Sequence, residues 1–72
     1  MPRKVRQLKA DLHKAGFVWR PGNGSHTVWT HWLLPDEQVT ISGNDGDDAQ
    51  RYQEGRVRKA LKKLRDVQRR QP

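Results

Sequence analysis

The chain has 72 residues, no cysteine and a formal net charge of +7 at pH 7, from fifteen Lys and Arg against eight Asp and Glu. A chain this short makes one small domain, buries roughly 60% of the surface its unfolded form exposes, and has room only for a simple site. The absence of cysteine excludes a disulfide framework, a thiolate metal site and a thiolate nucleophile. No run approaches the roughly 20 apolar residues of a membrane span, and the start Met1-Pro2-Arg3-Lys4 has no apolar segment behind it. The expectation is a cytoplasmic protein with no membrane partner, whose field attracts polyanions such as nucleic acid or an acidic protein surface.

Val5, Leu8, Leu12 and Ala15 recur at the spacing that lines one stripe of a helix, which predicts a first helix over about 3–15. Gly16 stands where a helix-ending glycine belongs. Phe17-Val18-Trp19-Arg20 is aromatic and β-branched and reads as a strand, and Pro21-Gly22-Asn23-Gly24 carries two turn dipeptides. Thr27 to Leu33 resumes a strand-forming composition, Leu34-Pro35-Asp36-Glu37 reads as a second turn, and Gln38 to Ser42 alternates polar with apolar as a third strand. A polar loop, Gly43 to Asp48, follows, in which Asp47 is placed to cap a second helix, with Gln50 three residues on. Val57, Ala60, Leu61, Leu64 and Val67 set that helix at about 49–68, with a start near Arg56 as the alternative because Gly55 costs roughly 1 kcal/mol inside a helix. The fold class is α+β, ordered α-β-β-β-α, with both apolar helix stripes covering one face of a three-stranded antiparallel sheet. Residues 1–72 read as a single domain with its core at about 3–68 and a flexible tail after it.

The tetrapeptide Gly24-Ser25-His26-Thr27 holds the chemistry. Cleaving RNA without a metal needs a base for the 2′-hydroxyl proton, an acid for the leaving 5′-oxygen, and cations to stabilise the phosphorane. A histidine serves either proton role because its ordinary pKa of about 6.5 lies near working pH. Glycines in the preceding turn let main-chain N–H groups approach a phosphate, Ser25 or Thr27 can donate to it, and Lys14 and Arg20 are the nearest cations in sequence.

The succession of an amphipathic first helix, Lys14-Ala15-Gly16-Phe17, Gly24-Ser25-His26-Thr27, Val39-Thr40-Ile41 and a basic last helix resembles the HicA family of bacterial toxins over about residues 5–65. The resemblance implies a double-stranded-RNA-binding-domain-like fold, a messenger-RNA endonuclease activity, silencing by a HicB-like antitoxin, and a catalytic role for His26. It implies no cofactor. The competing readings are a non-catalytic RNA-binding module of the same fold, in which His26 only touches a phosphate, and a protein whose only target is another protein.

The other candidates read as less specific. His31 projects from the opposite strand face to His26 and is expected to be structural or on the surface, and His13 is expected on the surface of the first helix. Asp45, Asp47 and Asp48 lack the length and terminal Glu of a calcium loop, and the chain has no zinc-binding pattern, so no metal is expected. Of Trp29 and Trp32, which differ in parity, one is expected under the helices and the other free to stack on a base or dock on a partner, and core packing is expected for one or two of the three tryptophans. The cations Arg56, Arg58, Lys59, Lys62, Lys63, Arg65, Arg69 and Arg70 crowd the second helix. Lys59, Lys62 and Lys63 are the ones singled out as candidates for phosphate-backbone contact, with an acidic antitoxin surface as the competing partner.

Overall fold

A computed structural model of the chain describes residues 2–70. The apolar stripe forms helix α1 (Val5–Lys14), with Val5, Leu8 and Leu12 buried and Ala15 packed beside them. The helix ends as Gly16 foretells. Gly16 takes a φ of +96°, its N–H donates to the His13 carbonyl at 3.0 Å, and the Phe17 N–H donates to the Leu12 carbonyl at 3.0 Å. This pair of bonds is a Schellman motif, and Phe17 and Leu12 join the same apolar core.

Strands β1 (Val18–Pro21), β2 (Thr27–His31) and β3 (Leu34–Ile41) form an antiparallel sheet in the order β1-β2-β3, and helix α2 (Arg51–Arg70) completes the α-β-β-β-α order. Alternation along the strands buries Trp29, His31, Val39 and Ile41 against the helices and leaves Val28, Thr30 and Thr40 on the other face. From α2, Val57, Ala60 and Leu64 enter the core, and Leu61 and Val67 pack at its margin.

The second turn is misplaced by the sequence reading. β2 stops at His31, the turn is Trp32-Leu33, and the expected turn residues Leu34 to Glu37 lie in β3. His31 pairs with Leu34 across that two-residue turn and both are buried, so the core draws Leu34 into the sheet. Pro35 is tolerated there because β3 is an edge strand.

Helix α2 starts at Arg51 rather than 49, passes through Gly55, and runs to Arg70, so Gln68 to Arg70 are helical. Gln71 and Pro72, the rest of the expected tail, lie outside the described residues. Gln53 explains the start: it is 2% exposed, and its side-chain N–H groups donate to the Ser42 hydroxyl at 2.6 Å and the Ser42 carbonyl at 3.2 Å. With Gln53 anchored on one side of Gly55 and Val57 buried on the other, the glycine sits on the exposed side at its usual helix cost.

Asp47 does not cap α2. Its carboxylate accepts the Asn44 N–H at 2.9 Å, and its carbonyl accepts the Val5 N–H at 2.9 Å. The Asp45 carbonyl accepts the Arg6 N–H at 3.1 Å, while Lys4 and Lys9 bridge to Asp48 and Asp45 at 2.6 and 2.7 Å. The acidic loop therefore satisfies the free amides at the start of α1 and places negative charge at the positive end of its dipole.

Candidate nucleic-acid interface

His26 closes the β1–β2 turn. The Gly22 N–H donates to the His26 carbonyl at 2.9 Å, the His26 N–H donates to the Asn23 carbonyl at 3.0 Å, and Gly24 between them takes a φ of +59° that a side chain would strain. The imidazole is exposed, and no group among the described residues hydrogen-bonds to it. Ser25 steadies the turn from the other side: its Oγ accepts the Gly43 N–H at 3.2 Å, which leaves the hydroxyl hydrogen to donate elsewhere. The register pairs Arg20 with Val28, and just past the end of that pairing a Cβ at Gly22 would sit 3.3 Å from the His26 Cβ, so His26 lies against the chain that leaves β1.

Thr27 is differently placed. Its Oγ1 accepts the Trp29 indole N–H at 2.9 Å and lies 3.5 Å from the Ile41 carbonyl, so its hydroxyl is engaged on the helix side of the sheet. His31 is a packing residue. It is buried, Phe17 meets its ring edge-on at 5.1 Å, its Nδ1 accepts the Leu33 N–H at 3.1 Å, and its Nε2 lies 3.2 Å from the Ala15 carbonyl.

The three lysines of α2 do not act as one face. Lys59 and Lys63 line a cleft against β3 with Arg56, Glu37 and Thr40, whereas Lys62 is exposed beyond it. Lys63 is already paired, its ammonium 2.5 Å from Glu37. That hydrogen bond, reinforced by the charges of Lys63 and Lys59, holds the Glu37 carboxyl below its ordinary value.

Lys14 lies on another surface, a groove between α1 and the β1–β2 hairpin. Trp19 and Trp29, paired across the strands, form its floor with ring centroids 6.4 Å apart. Arg6, Lys9 and His13 of α1 line it as well. Of the tryptophans only Trp29 is buried, at 3% exposure; Trp19 is 56% exposed and Trp32, in the β2–β3 turn, 77%. The expected division between Trp29 and Trp32 holds, although Trp32 is in a turn rather than a strand. The groove escaped the sequence reading, yet a signal existed: Trp19 and Trp29 lie equally far from the hairpin closure at Pro21 and Thr27.

Among the described residues no group of three or more His, Asp or Glu is placed to hold a metal ion, and no helix is long and apolar enough to cross a membrane. Searches of curated proteins and of solved structures gave no match. The family model described as HicA toxin of bacterial toxin-antitoxin matches residues 5–65, a stretch holding α1, the whole sheet, His26 and most of α2. This chain therefore belongs to the HicA toxins, the toxin components of bacterial toxin–antitoxin systems.

Proposed function

We propose that this toxin is a metal-independent endoribonuclease that cleaves messenger RNA in the cytoplasm with His26 as its catalytic residue and is silenced by a HicB-like antitoxin. The observation that carries the reading is His26 itself. It lies inside the stretch that matches the family, at an exposed turn, with a ring that no described neighbour engages.

The substrate brings its own nucleophile. The 2′-oxygen attacks the adjacent phosphorus, the bond to the 5′-oxygen breaks, and the products are a 2′,3′-cyclic phosphate and a 5′-hydroxyl. His26 handles one of the two protons in play, taking that of the 2′-hydroxyl or giving one to the leaving oxygen, a contribution of typically 10²–10⁴-fold. Arg20, on the neighbouring strand β1, offsets the negative charge of the phosphorane, and the Ser25 hydroxyl donates to a phosphate oxygen. Lys14, Lys59 and Lys62 hold the strand through its phosphates, with Lys63 a weaker contributor because Glu37 already occupies it.

Expression without antitoxin tests the reading. The wild-type chain should arrest growth, and His26→Ala should not, while retaining the wild-type circular dichroism spectrum. An alanine variant that stays folded and equally toxic refutes the role of His26.

A further inference from the structure

We infer that the groove between α1 and the β1–β2 hairpin is a base-stacking site that seats one unpaired base of single-stranded RNA on the face of Trp19. The inference rests on the ribonuclease reading above and names how the substrate is held.

Trp19 is 56% exposed although its cross-strand partner Trp29 is 3% exposed, so the second ring stiffens the first from below without covering it. Trp29 is itself fixed, its indole N–H bonded to Thr27 at 2.9 Å. A rigid, half-open indole is a platform on which any base can stack, because every base has a π-face. The groove encloses about 560 Å³, inside the roughly 300–1,000 Å³ range of small-ligand sites.

Charge selects the occupant. Asp45 is the one acidic side chain lining the groove, and Lys9 neutralises it at 2.7 Å. Arg6 and Lys14 have no ion pair among the described residues and remain to meet phosphates on either side of the base. An apolar floor under a cationic rim fits a nucleotide better than an apolar peptide or an acidic one. A duplex cannot use this platform, since its bases are already paired and stacked.

The test measures binding of a fluorescein-labelled oligouridylate by anisotropy, in a His26→Ala background so that the probe survives. Trp19→Leu keeps apolar bulk but has no π-face, and it should weaken binding about fivefold or more, whereas Trp19→Phe should stay within about threefold of the parent. Val18→Ala, on the other face of β1 and 65% exposed, should change nothing. Binding to an RNA duplex should be indifferent to Trp19. Equal oligouridylate affinity for the Leu, Phe and parent proteins overturns the stacking site while leaving the ribonuclease reading intact. Equal losses on single strand and duplex overturn it too, since they mark a general loss of fold or field. A parent that binds no oligouridylate at all overturns both.

Discussion

The Ser25 hydroxyl accepts the main-chain N–H of Gly43 at 3.2 Å, and this bond ties the turn that carries His26 to the loop that caps α1. The catalytic candidate is thereby braced by an element far away in sequence. Ser25→Ala should cost only about 0.5–1.5 kcal/mol of stability, the net worth of one such bond, but should reduce RNA cleavage by more than this loss of folded protein explains. Urea midpoints and cleavage rates on one preparation check this, and unchanged cleavage would show that neither the brace nor the hydroxyl's bond to phosphate has a part in activity.

Gly16 is held at a φ of +96°, and a Cβ there would sit 3.1 Å from His31 Nε2. Gly16→Ala should therefore destabilise the fold by about 1–3 kcal/mol through backbone strain and displacement of the His31 ring. Thermal unfolding measures it, and an unchanged midpoint would contradict the placement of both residues.

The two histidines of the hairpin should separate cleanly. His31→Ala removes a buried ring that bonds Leu33 and meets Phe17, so it should lower stability by about 2–4 kcal/mol. His26→Ala removes an exposed ring and should leave the unfolding midpoint nearly unchanged while abolishing toxicity.

Glu37 gives the pair with Lys63 a pH signature. Its folded carboxyl titrates below the ordinary value because Lys63 bonds the ionised form. The contribution is therefore complete above the unfolded Glu pKa of about 4.3 and is lost as pH falls through the lower folded value. Glu37→Gln should be slightly less stable than wild type at neutral pH and equal to it in strong acid, as read from urea midpoints at the two conditions. A gap that persists in acid would mean the side chain acts by packing rather than charge.

Salt dependence sorts the lysines. Removing a cation that neutralises one phosphate of a single strand should flatten the log–log salt slope by about 0.7. Lys59→Ala and Lys62→Ala should show this, and Lys63→Ala should show less of it because Glu37 already neutralises that ammonium. Equal slopes for all variants and the wild type would remove these three lysines from the RNA interface.

Much of the fold is legible from local signals. The Val5-Leu8-Leu12 stripe, the glycine that ends it and the glycine-rich turn before His26 each follow from residues close in sequence. What is not legible depends on partners far along the chain. Leu34-Pro35-Asp36-Glu37 has the composition of a turn, but Leu34 is drawn into β3 by burial against the core and pairing with His31. Asp47 looks like a cap for the helix after it, yet its carboxylate bonds Asn44 within the loop and its carbonyl takes the Val5 amide at the start of α1. At the site, the Gly-Ser-His-Thr motif is visible in sequence, whereas the Trp19–Trp29 floor and the pairing of Lys63 require the hairpin register and the packing of α2 on β3.

The most direct measurement is product analysis of single-stranded RNA incubated with the purified toxin in EDTA, with His26→Ala alongside. The account predicts that the wild-type chain cleaves and leaves a 2′,3′-cyclic or 3′-phosphate with a 5′-hydroxyl. A 2′-deoxy residue on the 5′ side of the scissile phosphate should block cleavage, and His26→Ala should be inactive. Products ending in a 5′-phosphate, complete loss of activity on chelation, or undiminished cleavage by a folded His26→Ala protein would contradict it.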